Sequence, residues 1–204
     1  MSVVEFFSGV CPWLLMVWVL ERLVSWCGVR VRGWTLLLLA AAGALVMLAL
    51  PIDGVSVWRR ARGVNANFGI PLTGMLAVAV CERVFARPLF SSGDWTLAWR
   101  FGAIGGVALY PLALGLTSFD PYAWGWRFSP LFVMTGALTG WLIWRQNRFG
   151  ILLLLAAAAF TCHLLESDNY WDYLLDPVYC LTSVAVLGGR LAVSTRTSVT
   201  KRFS

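Results

Sequence analysis

Charge is what this chain has least of. Asp, Glu, Lys and Arg make up 13% of its 204 residues, about half the share usual in a globular domain. So few charges would not cover the surface of an ordinary water-exposed fold. Histidine occurs once, at His163, which excludes bis-histidine haem ligation within the chain. The five cysteines, Cys11, Cys27, Cys81, Cys162 and Cys180, form no CxxC pair, and their apolar surroundings make them packing residues. The opening MSVVEFF carries Glu5 and no basic residue, so a cleavable signal peptide is not expected. A P-loop, a GxSxG elbow, an HExxH motif and a potassium-channel filter are all missing. No cofactor is expected, and a convincing internal repeat is lacking.

What the chain has is apolar runs, with 59% hydrophobic residues and a mean hydropathy of +0.75. These runs predict an all-α polytopic transmembrane bundle of about seven spans, at about 6–24, 34–50, 68–85, 101–116, 131–144, 151–165 and 178–193. The whole chain, 1–204, is then one integral membrane domain with no soluble domain. Pro71 and Gly74 interrupt the third run. A six-span alternative therefore makes that run re-entrant. Gly102, Gly105 and Gly106 in the fourth allow a neighbouring helix to approach closely.

The net charge of +6 comes from arginines in the short connections, a topogenic pattern, so nucleic acid is not an expected partner. Arg22, Arg30, Arg32, Arg83, Arg87, Arg100, Arg145, Arg148, Arg190, Arg196, Lys201 and Arg202 are assigned to the cytoplasmic side, and the acidic stretch ESDNYWDYLLDP at 166–177 to the outer side. This places the chain in a bacterial inner membrane, N-terminus outside and C-terminus cytoplasmic. Tryptophans near the run ends read as interfacial anchors.

Three groups of residues stand out as candidate sites. In the acidic stretch, Asp168, Asp172 and Asp176 fall on one face if it is helical. Such a stripe suits a divalent metal or a solvated set of ion pairs, with Asp176 capping the run that begins at Pro177. His163 lies three residues before Glu166 and shares a helical face with it, making a metal ligand, a base or a hydrogen-bonded core residue. Arg59, Arg60, Arg62 and Asn65 form a basic cluster. It fits either pairing with the acidic stretch or binding of an anion or lipid headgroup. The dipeptides Glu21–Arg22 and Glu82–Arg83 read as structural ion pairs.

The leading functional expectation is a non-catalytic subunit of a cell-envelope membrane complex, with membrane lipids and other membrane proteins as partners. The alternatives are a membrane enzyme or carrier for a phosphorylated lipid or glycolipid, and a small channel or transporter.

Overall fold

Most helices begin where a short polar side chain takes up a free backbone N–H. The computed structural model describes residues 2–28 and 33–200, and the backbone alone at 34, 37, 62, 64 and 193–200. Helix α1 (Val3–Trp26) opens on a capping box, in which Ser2 and Glu5 each accept the other's backbone amide. Helix α5 (Ser92–Ala113) opens on the same device, built from Ser91 and Asp94. Ser56, Ser129 and Asn169 cap α3 (Val57–Val64), α6 (Pro130–Trp144) and α8 (Tyr170–Leu174). The other helices are α2 (Trp34–Ala49), α4 (Ile70–Phe85), α7 (Phe149–Thr161) and α9 (Pro177–Thr200). A short hairpin, β1 (Pro51–Ile52) with β2 (Val55–Ser56), precedes α3. Its turn places Asp53 and Gly54 at φ of 49° and 75°, as a tight two-residue connection requires.

The helices align into a bundle with two chemically different ends. α1 runs parallel to α4: Cys11 lines the same cleft as Leu72 and Met75 of the first half of α4, and Glu21 pairs with Arg83 near the ends of both helices. α5 runs antiparallel to α9, with Thr96 against Arg190 and Gly102 against Ser183. A Cβ on Gly102 would lie 2.3 Å from Ser183 Oγ, and one on Gly106 2.3 Å from Cys180 Sγ. The missing side chains therefore set the separation of these two helices. α7 occupies the centre, packed by α4, α5, α6 and α8. Phe149, Leu153 and Ala156 of α7, with Tyr173, Leu174 and Tyr179, are fully enclosed. Each such large side chain contributes roughly 1.5–3 kcal/mol of burial free energy. Ile104, Leu154, Leu155 and Leu181 stay exposed on the outer faces.

These helix lengths overturn the seven-span expectation. Crossing the hydrocarbon takes about 20 apolar residues, whereas α2 and α4 have 16, α6 has 15 and α7 has 13. The apolar stretches Leu38–Ala49, Pro130–Trp144, Phe149–Thr161 and Pro177–Ala192 all fall in the range of 10–17 residues. α5 is 22 residues long but opens on Ser92, Gly93 and Asp94 and carries Arg100. Among the described residues, one helix, Val3–Trp26, is long and apolar enough to cross a membrane, by length and composition.

The chain is instead a packed all-α domain whose apolar runs face one another. Hydropathy alone does not separate a short span from a core helix, and α7, the most apolar helix, buries Phe149, Leu152, Leu153, Ala156 and Ala159 against its neighbours. The multi-pass inner-membrane assignment, its six-span alternative and its orientation are therefore withdrawn. So are the envelope subunit, lipid enzyme or carrier, and channel roles, together with membrane lipids and membrane subunits as partners. Of the residues assigned to a cytoplasmic side, Arg30, Arg32, Lys201 and Arg202 lie outside those described.

Local differences follow from turn chemistry. The Ser91 and Asp94 box starts α5 nine residues before the expected run. Residues 57–64, expected as loop, form α3 behind the Ser56 cap.

Candidate functional site

The acidic stretch folds as three separate attachments, not one helical stripe. Only Tyr170–Leu174 is helical, and Leu175 is extended, so Asp168 and Asp176 fall outside the helix that was to align them with Asp172. The Tyr122 hydroxyl donates to both Asp172 carboxylate oxygens, at 2.9 and 3.0 Å, and Ser167 donates to the same group. Burial, followed by the Asp172 charge, raises the Tyr122 phenol above its ordinary range. Asn169 is fully buried; its amide nitrogen donates to the Tyr122 carbonyl at 3.0 Å, and Trp171 Nε1 donates to Pro121 at 2.9 Å. These bonds fasten the stretch to the 3-10 helix Pro121–Gly125. A Cβ on Gly125 would lie 1.7 Å from Asn169 Oδ1.

Asp176 is 2% exposed and carries two structural bonds. One oxygen accepts from the Tyr179 amide at the start of α9, the other from the Gly69 amide at the start of α4, both at 2.9 Å. Burial raises its carboxyl above the ordinary range, against the pull of these amides. His163 lies beyond the end of α7 at a φ of 49°, so it does not share a helix face with Glu166. Its Nδ1 is 3.4 Å from the Asp168 carboxylate, both side chains being exposed. The Glu166 amide donates to Asn67 Oδ1 at 3.1 Å. Among the described residues, no group of three or more His, Cys, Asp or Glu side chains could hold a metal ion.

In the basic cluster, Arg60 is engaged by its own hairpin, donating to the Ile52 carbonyl and to Asp53 at 3.2 Å. Arg59 is exposed, its amide capped by Ser56. The Arg62 side chain is outside what is described. Asn65 Oδ1 accepts from the Asn67 amide, and Asn65 Nδ2 is enclosed without a hydrogen-bond partner. The described links from this segment to the acidic stretch are thus made by Asn67 and Gly69.

Glu21 and Arg83, expected each to pair within its own dipeptide, pair with each other across helices. Glu21 is 2% exposed and also accepts from Ser25 at 3.1 Å. Glu82 instead accepts the amides of Leu89 and Phe90, at 2.8 and 2.7 Å. Arg22 keeps one distant contact with Glu21, at 3.9 Å, and lies 5.3 Å over the Trp18 ring.

Beside Arg22 opens a cleft that sequence reading missed. It encloses about 340 Å³ between α1, α4, α5 and α9. Leu15, Leu72, Met75 and Leu76 form its apolar walls with the tryptophans Trp18, Trp95 and Trp99, and Trp95 and Trp99 stack at 6.2 Å. Among the described residues, Arg22 is its only charged lining residue and Cys11 its only thiol. Burial pushes the Cys11 thiol up to about 12, so it is protonated and unreactive at neutral pH. The cleft offers apolar surface, aromatic faces and one guanidinium. The only sequence signal for it was the recurrence of Trp at 95 and 99 on one face of α5.

Compared with protein-family models, characterised proteins and solved structures, the chain matches none.

Proposed function

We propose that this domain is a binding protein for a flat, hydrophobic organic anion, taken up in the four-helix cleft. The supporting observation is the cleft itself: an apolar hollow of about 340 Å³ with three tryptophans and a single guanidinium. Ligand sites of this kind are largely apolar, with a few polar groups that fix orientation. Indole faces favour a fused-ring body, and Arg22 favours a carboxylate or sulfonate. With its thiol held protonated, the cleft is suited to holding a ligand rather than transforming it.

The test uses two dyes on one skeleton: anilinonaphthalene sulfonate and uncharged N-phenyl-naphthylamine. Both should brighten with the wild-type protein. Arg22→Ala should weaken the sulfonate ~10-fold and the neutral dye less than ~2-fold, since a charge-assisted bond contributes roughly 1.5–3 kcal/mol. Ala79→Phe, which fills the cleft from α4, should abolish binding of both. Unchanged binding of both dyes by Ala79→Phe would place them elsewhere and defeat the proposal.

A further inference from the structure

A second hollow lies at the arginine-rich end, between the start of α5 and the end of α6. Asp94 sets its geometry. This buried carboxylate accepts the Ser91 amide and hydroxyl through one oxygen, at 2.7 and 2.9 Å, and the Arg148 amide through the other, at 3.0 Å. The α6–α7 turn is thereby fastened to the first turn of α5. Arg148 adds a bond from its guanidinium to the Leu89 carbonyl. The hollow left between the two helices measures about 470 Å³.

Two stripes line it. Ser92, Thr96 and Arg100 succeed one another at four-residue spacing along α5, and Trp141 and Arg145 do so at the end of α6. Among the described residues no carboxylate lines the hollow. Asp94, the nearest acid in sequence, is committed to backbone amides and to Ser91. Among the described residues neither Arg100 nor Arg145 has an ion-pair partner, and Arg190 donates to Thr96 Oγ1 at 3.1 Å. Two unpaired guanidinium groups around one hollow repel until an anion lies between them. Past Arg100 the hollow continues into an apolar groove of about 440 Å³, sharing Leu97 and Leu142 with it.

We propose that this hollow binds a tetrahedral oxyanion carried on an aromatic ring, of the phosphate or sulfate monoester class. Arg100 and Arg145 hold the oxyanion, the Ser92 hydroxyl donates to it, and the ring lies against Trp141 with its far edge on Leu97 and Leu142. Guanidinium forks match such oxyanions bidentately. The site is distinct from the Arg22 cleft and does not depend on it.

Isothermal titration at low ionic strength decides the matter, with phenyl phosphate, phenyl sulfate, inorganic phosphate and phenol as probes. Phenyl phosphate or phenyl sulfate should bind, inorganic phosphate more weakly, and phenol not at all. Whichever ester binds more tightly identifies the preferred oxyanion. Arg100→Gln and Arg145→Gln should each weaken that ester ~10-fold or more. Trp141→Ala should weaken the ester more than inorganic phosphate. These exposed positions leave the melting temperature in place, so loss of binding reports the site. Ala79→Phe should leave ester binding intact, which separates this site from the dye cleft. Absence of ester binding in the wild type, or undiminished binding by Arg100→Gln, would overturn the proposal.

Discussion

The two ends of this bundle handle charge in opposite ways. At the end that holds 166–177, acidic side chains are absorbed into the fold. Asp176 takes two backbone amides, and Asp172 takes a tyrosine and a serine hydroxyl. At the other end the carboxylates are also engaged, although Glu21 Oε2 has no hydrogen-bond partner, and the arginines outnumber them. Glu21 serves Arg83, while Glu82 and Asp94 serve backbone amides. That leaves Arg22, Arg100 and Arg145 at the edges of two hollows. An acid can be satisfied by N–H and O–H donors that every loop supplies. A guanidinium carries five N–H donors in a rigid fork, and a single carbonyl or carboxylate satisfies only part of it. These acids therefore become structure, as do Arg83 and Arg148, while Arg22, Arg100 and Arg145 are left beside the hollows.

The largest test of that contrast is Asp176→Ala, which strands two buried amides and should cost about 3 kcal/mol in denaturant unfolding. A loss under about 1 kcal/mol would mean that Asp176 is not structural. pH sharpens the same point. Burial raises the folded-state carboxyl of Asp176 above its unfolded value. The part of its contribution that depends on protonation is therefore greatest below the ordinary carboxyl range and is lost as pH rises through the raised folded value, while the two amide bonds remain. As pH falls from neutral, the melting temperature of the wild type should gain on that of Asp176→Asn. A constant gap would contradict the raised value.

Next in size is Glu21→Ala, at about 2 kcal/mol. It leaves Arg83 without its partner, and the usual cost of such a break is reduced because Arg83 is 36% exposed. Combining it with Arg83→Ala should give a loss smaller than the sum of the two; simple additivity would show the pair to be unimportant. Tyr122→Phe should cost about 1 kcal/mol, and the loss should persist in molar salt, because a hydroxyl donor is involved and not a cation. The smallest change belongs to Arg60→Ala. Its bridge to Asp53 is exposed, with Asp53 at 88%, so the loss should stay below about 0.5 kcal/mol. A larger loss would make the hairpin a structural anchor.

The all-helical character was legible in the apolar runs, and Gly102 and Gly106 marked a close helix approach, whose partner, α9, only the structure named. The membrane reading failed because run length was treated as span length. Four of those runs form helices of 13–16 residues, and an enclosed core helix such as α7 is as apolar as a span. The expected aspartate stripe failed for a local reason: α8 stops at Leu174, so regular spacing did not become a shared face. The partners of the acids, Tyr122 and Gly69, are 50 and 107 residues away in the chain. No spacing rule could have named them.

The sequence by itself determined the helical character, the Asp176 cap at the start of α9 and which segments are apolar. Those are properties of a residue and its near neighbours. Which apolar surfaces meet, which acids are tied down and which arginines are left beside a hollow were decided only by the tertiary structure. Each of these depends on donors and acceptors brought together from distant parts of the chain, and a buried polar group accepts whatever partner the packing puts within about 3 Å.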